Sequence, residues 1–328
     1  MLSRVADSLY WMSRYLERAE HMARAVDVQL HLALDEAPSM ASMGWVCLLG
    51  GLKADLPAHL CTDDRAVTNA LTFDRQNPSS IVSCIGQARE NARQIREQIS
   101  SDIWEELNRL YLSVKAMDID RMWKSEPHVF LHSVQRGAQL LAGVADSTIN
   151  HGEGWQYIRF GRFLERAMSL AWLLDAHFGV RGIEMEESPT PEDFVAWSGL
   201  LRACSAFEPY CRVHTVELRP RQILEFLLFD PEFPHSVRFC ACQMEHAIDA
   251  VAQWTATPRD ALVRRIVGKL HAGLGFGCLD EVFAGDLSEY LLNIIKQCFA
   301  VNDAVYRRYI SYPVDAALRG EFVESAAQ

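Results

Sequence analysis

Residues 9–27 read LYWMSRYLERAEHMARAVD, and residues 157–175 read YIRFGRFLERAMSLAWLLD. In the first stretch Leu9, Met12, Leu16, Ala19, Ala23 and Val26 recur three and four positions apart, the signature of one helical face. The two stretches also match each other. Arg14, Leu16, Glu17, Arg18, Ala19, Ala23 and Asp27 return as Arg162, Leu164, Glu165, Arg166, Ala167, Ala171 and Asp175, at an offset of 148.

Outward from these helices the match continues in order. Trp45, Leu48 and Leu49 return as Trp197, Leu200 and Leu201 at an offset of 152. Arg65, Leu71, Phe73, Asp74, Pro78, Ser80, Cys84 and Gln87 return as Arg221, Leu227, Phe229, Asp230, Pro234, Ser236, Cys240 and Gln243 at an offset of 156. Helices of similar composition align easily, but that does not produce FD, Pro, Ser, Cys and Gln at identical spacing. The sequence therefore predicts a tandem duplication. The fold class is all-α: a helical bundle of two pseudo-symmetric repeats, residues 1–145 and 146–328, fused into one compact domain.

Helical periodicity also runs through 79–99, 102–118, 127–149, 191–204, 217–229, 235–254, 258–274 and 286–310. Pro78 and Pro234 are placed to open helices, and Gly179 and Gly182 to close one. Residues 179–190 read as an acidic surface loop and the last dozen as a frayed end. Strand-type alternation never lasts more than a few residues.

Composition narrows the function. Apolar residues make up 49% of 328 residues and charged residues 23%, which is globular rather than disordered. Asp plus Glu outnumber Lys plus Arg by 43 to 32, a net charge of −11 that disfavours nucleic acid and anionic membranes as partners. No apolar run reaches the ~18 residues of a membrane span. Charges enter the N-terminus too early for a signal-peptide core. The nine cysteines are scattered and never spaced CxxC, so they read as reduced thiols of a cytoplasmic protein.

No P-loop, GxGxxG, GxSxG or HExxH motif occurs, and Gly273, Gly275 and Gly277 follow a helix rather than a strand. His128 and His132 share a helix face, as do Cys242 and His246 beside Glu245, but spacing supplies no complete ligand set. Neither a metal site nor a cofactor is expected.

The repeated Glu-Arg pairs remain. Glu17 lies opposite the apolar stripe of its helix, a face that would be solvated in isolation. Glu165 sits among Ile158, Met168 and Trp172 on a helix apolar all round, so it is expected to be buried and to require a charged partner. Arg162 lies within reach at i−3. Arg14, Glu17, Arg18, Arg162, Glu165 and Arg166 thus form either an anion- or peptide-binding cluster, through the guanidinium fork, or a structural ion-pair network joining the repeats. The turn before the second helix, with Asp146, Thr148, His151 and Glu153, either adds an anion site or caps the helix with Asn150 or Glu153. Asp74 and Asp230 are turn formers.

MLSRVADSLYWMSRYLERAE, NPSSIVSCIGQARENARQIREQIS, STINHGEGWQYIRFGRFLERA and LEFLLFDPEFPHSVRFC together resemble the bacterial alpha-E domain family. The resemblance covers nearly the whole chain. It implies an accessory component acting beside ATP-grasp amide ligases and transglutaminase-like proteins, in the synthesis or removal of a peptide tag. It supplies no catalytic residue. His151 stands where similar stretches often hold Arg.

Three functions follow as alternatives. One is a substrate- or partner-binding adaptor of such a ligation system. The second is an enzyme acting on an amide bond, with Glu165 or Glu17 as base. The third is a structural homo-oligomer.

Overall fold

In the computed structural model, which describes residues 1–35, 38–54, 56–57, 59–181, 191–214, 216–254 and 261–310, both decisive stretches lie inside single long helices. These are α1 (Ser3–Asp35) and α8 (Glu153–Arg181). Between them run α2 (Pro38–Gly51), α3 (Asp64–Thr72), α4 (Ile81–Gln94), α5 (Ser101–Lys115), α6 (Ile119–Lys124) and α7 (Pro127–Thr148). After α8 come α9 (Pro191–Ala203), α10 (Phe207–His214), α11 (Pro220–Phe229), α12 (Val237–Trp254), α13 (Ala261–Phe276), α14 (Leu279–Ala284) and α15 (Leu287–Val305). The protein is all-α, with no strand among the described residues.

Local chemistry sets the boundaries. Pro127 and Pro220 occupy first-turn positions, where the missing N–H costs nothing. Pro78 and Pro234 do not open helices. Ser80 caps α4 instead, accepting from Ser83 N and donating to Asp74 O. Ser236 does the same before α12, accepting from Phe239 N and donating to Asp230 O. Each hydroxyl locks a turn shaped by Asp74 or Asp230, so the prolines fall in the turn, ahead of the cap. Gly179 does not end α8, which runs on to Arg181. Gly182, the acidic segment at 182–190 and the C-terminal dozen lie outside the described residues.

The central pair is α1 against α8. Beyond α1 lie α4, α5 and α7; beyond α8 lie α12, α13 and α15. Their apolar side chains form one continuous core running from Val5 to Ile310. Complete burial of each Leu, Ile or Phe contributes roughly 1.5–3 kcal/mol. The crossing is tight at Gly161, where a Cβ would stand 2.3 Å from Ser13 Oγ and 2.6 Å from the Tyr10 carbonyl oxygen. Contrary to the single-helix reading, the polar face of α1 is not solvated. Arg14, Glu17, Glu20, His21, Arg24 and Asp27 are all buried.

Candidate functional site

Because α1 and α8 press their Glu-Arg faces together, each carboxylate meets the other helix's guanidiniums. Glu165 Oε2 accepts from Arg14 Nε at 2.7 Å, and its Oε1 accepts from Arg18 Nε at 2.6 Å. Glu17 accepts from Arg166 through Nε at 2.5 Å and Nη2 at 3.1 Å. Within-helix pairing of Arg162 with Glu165 does not occur: both Glu165 oxygens are taken by α1. Burial raises both carboxyl pKa values, but the guanidiniums outweigh it. Arg166 holds Glu17, and Arg14 with Arg18 hold Glu165, below the usual carboxylate range. Carboxylates so held are poor general bases, which argues against either as a catalytic base.

The arrangement is unequal. Arg14 also donates to Tyr10 Oη at 2.8 Å and to Asn302 Oδ1 at 3.1 Å, and its guanidinium lies 4.7 Å from the Trp11 ring centroid. Arg162, its counterpart in the sequence match, has no hydrogen bond or ion pair among the described residues. Burial draws its pKa down, and the Glu17 charge offsets only part of that. At the offset of 148 Ile158 stands where α1 has Tyr10, and at 160, one further step of four, Ala142 on α7 aligns with Asn302 on α15. Neither Ile158 nor Ala142 has a side-chain acceptor.

Arg162 lines a cleft between α1, α7 and α8. Apolar walls include Met12, Leu16, Ile103 and Leu141, and the polar groups include Arg162, Arg166, Glu17, Glu20, Gln139 and His235. Glu20 is bonded to Arg24, yet its Oε2 accepts no hydrogen bond among the described residues. Burial pushes the Glu20 pKa up, and Arg24 only partly opposes this. His235 is driven well below the usual imidazole value by burial and then by Arg166, and His21 falls to about 4 through burial and Arg24. With both imidazoles neutral, the cluster holds five guanidiniums, Arg14, Arg18, Arg24, Arg162 and Arg166, against three carboxylates, Glu17, Glu20 and Glu165. The cluster thus carries more guanidiniums than carboxylates beside apolar side chains.

The adjoining turn is engaged elsewhere. His151 Nε2 bonds the Asp146 carbonyl at 2.9 Å, and its ring stacks on Trp155. Thr148 Oγ1 bonds Ser100 Oγ at 2.7 Å. Glu153 lies 2.8 Å from the Met1 amino group instead of capping α8. Asp175 and Asp27 do not join the cluster either. Asp175 accepts from Ser288 Oγ at 2.6 Å, and Asp27 faces histidines of α7.

Sequence reading places Arg24 beside Glu17 and offers Glu20 as a neighbouring carboxylate, but it missed His21 and His235. His21 sits on the same face as Glu17, which was legible, but His235 reaches the cleft from the segment before α12, which spacing does not disclose. The nine cysteines are free thiols, and burial pushes Cys84 and Cys240 up to about 12, too high for nucleophiles. Cys242 lies 3.8 Å from His246, while Glu245 pairs with His271. No helix among the described residues is long and apolar enough to cross a membrane.

Comparison with known proteins places this geometry in a family. Residues 1–310 match the model of Alpha-E, described as a predicted alpha-helical domain with a conserved ER motif, and the chain belongs to that family. An uncharacterised protein of Mycobacterium bovis and two of Mycobacterium tuberculosis strains are each 28% identical to it over 254 residues, covering 71% of this chain. The matched stretch is 28% of each relative's length, so these relatives are several times longer than the region they share with the chain. No solved structure matches it.

Proposed function

We propose that this Alpha-E chain is a binding module whose cleft takes the carboxylate of a peptide C-terminus, with an apolar terminal side chain in the throat. The observation that carries the reading is Arg162: a guanidinium with no hydrogen bond or ion pair among the described residues, beside Arg166, in a cleft that also has apolar walls. A carboxylate there would accept charge-assisted bonds from Arg162, as Glu165 accepts one from Arg14.

In this reading the chain presents its ligand to an ATP-grasp ligase, with a transglutaminase-like protein as a further partner. The ligase role rests on the family resemblance, and longer relatives that embed the matching region are consistent with a module working beside other domains. We also take the two halves as repeats of one duplicated unit. Ser80 and Ser236 make the same cap, and Arg65–Asp120 and Arg221–Asp280 are ion pairs at corresponding positions.

The test is calorimetric titration of the full chain with a short peptide ending in Leu, as free acid and as amide. The expected result is saturable binding of the acid, at least tenfold weaker binding of the amide, and a similar loss in Arg162→Gln. Equal binding of acid and amide, or an unaffected Arg162→Gln variant, would overturn the carboxylate site.

A further inference from the structure

Ten residues along α1 from Glu17, and thus ~15 Å away at 1.5 Å per residue, lies a second polar cluster that the cleft does not use. Asp27 is buried, and among the described residues its only ion-pair partners are three imidazoles, with no Lys or Arg. His128 Nδ1 is 2.7 Å from Asp27 Oδ1, and His132 Nε2 is 2.9 Å from Oδ2. His31, one turn along α1, has Nδ1 3.9 Å from Oδ1 and 3.0 Å from the Asp27 backbone oxygen. The His31 and His128 rings lie 3.5 Å apart between centroids. A carboxylate oxygen of Asp27 and one ring nitrogen each of His31 and His128 fall within 4.8 Å of one another.

We propose that Asp27, His31 and His128 bind a divalent transition-metal ion of the zinc class, clamping α1 to the start of α7. Three features converge on this. A buried carboxylate needs a compensating positive charge, and neither Lys nor Arg supplies one to Asp27 among the described residues. Neutral imidazoles plus a carboxylate form a donor set suited to zinc, whereas oxygen-only sites suit magnesium and calcium. The scaffold itself does not need the histidines. At the matching positions of the second half, Asp175 meets the start of α15 through the Ser288 hydroxyl, with no imidazole on it among the described residues, and Gly179 and Leu292 stand where His31 and His132 would be.

Metal–ligand bonds of ~2.0–2.1 Å separate tetrahedral donors by roughly 3.3 Å, so loading opens the His128–Asp27 pair by about half an ångström. The proton between His128 Nδ1 and Asp27 leaves to solvent as the metal enters. His132 stays on Oδ2 as a positioning residue that orients the carboxylate. The partial exposure of His31 and His128 leaves the fourth coordination position open to water.

The experiment is zinc titration of chelator-stripped full-length chain, in competition with a chromophoric chelator, with cobalt substitution as the spectroscopic readout. We expect one zinc per chain and tetrahedral cobalt bands. His128→Ala and His31→Ala should each lower affinity at least tenfold, and His132→Ala should lower it less. His31 is exposed, so its variant keeps the fold even if Asp27→Asn does not. Absence of saturable uptake, or uptake unchanged in both His31→Ala and His128→Ala, would overturn the site; the latter would place the ion elsewhere, as at Cys242 and His246.

Discussion

Glu165 holds two guanidiniums of the opposite helix, Arg14 and Arg18, while Glu17 holds one, Arg166. The same Glu-Arg pair thus does unequal work at its two occurrences. Removing a partner from a buried ion pair costs ~3–5 kcal/mol, because the remaining charge stays desolvated. Glu165→Gln strands two arginines and should cost that much. Glu17→Gln strands one and should cost less. Chemical denaturation of both variants checks the order; a Glu165→Gln protein as stable as the parent would refute the buried-pair account.

A sharper contrast lies between Arg14 and Arg162. Arg14→Met removes bonds to Glu165, Tyr10 and Asn302 and leaves buried acceptors short, so it should destabilise by about 3 kcal/mol or more. Arg162→Met removes a partly desolvated charge with no protein bond and should be neutral or stabilising by ~1 kcal/mol. Melting curves of the two variants decide this, and equal losses would mean that Arg162 carries structural weight.

Much of this was legible in the sequence. The α1 and α8 stretches announced themselves by periodicity, and the burial of Glu165 followed from an all-apolar helix surface. The burial of the Glu17 face did not follow, because an amphipathic pattern does not reveal a second helix that covers its polar side. Pro78 and Pro234 misled for a related reason. Their fit to a first-turn position is real, but the Ser80 and Ser236 hydroxyls two residues on make the better cap. Short helices such as α6 and α14 span six residues each, too few for a 3.6-residue period to register. The Asp27–histidine cluster needed the α1–α7 contact, which no spacing within either helix encodes.

Acid should weaken the fold before the carboxylates titrate. His21 is buried and its pKa falls from 6.5 to about 4, through burial first and Arg24 second. The unfolded chain therefore binds this proton before the native state does. The stabilisation is complete above pH 6.5 and is lost as pH falls toward 4. At 1.36 kcal/mol per pKa unit this amounts to ~3 kcal/mol. His235 adds to the slope with the same sign, and Glu17 and Glu165 add to it only below the ordinary carboxylate range. Glu20 opposes it, since its raised pKa favours the acid form in the native state. Stability measured from pH 7 to 4 should fall, and His21→Gln should flatten the curve. A slope identical in parent and variant would rule out His21 as the source.

The α1–α8 crossing makes the last prediction, and it separates side-chain crowding from backbone crowding. A Cβ at residue 161 would lie 2.3 Å from Ser13 Oγ and 2.6 Å from the Tyr10 carbonyl oxygen. Ser13 could turn away or be replaced, but the Tyr10 carbonyl belongs to the helix backbone and cannot move without shifting α1. Such a shift would lengthen the Glu165 bonds to Arg14 and Arg18. Gly161→Ala should therefore destabilise by several kcal/mol, in the range of an overpacked core compounded by weakened buried ion pairs. Adding Ser13→Gly should recover only a minor part of the loss. Gly143, inside α7, meets nothing within 4 Å of its built Cβ, so Gly143→Ala should stabilise by about 0.5–1 kcal/mol through helix propensity. Denaturation midpoints of the three variants test the argument together. Full rescue by Ser13→Gly would show that the hydroxyl, not the backbone, sets the approach of the two helices.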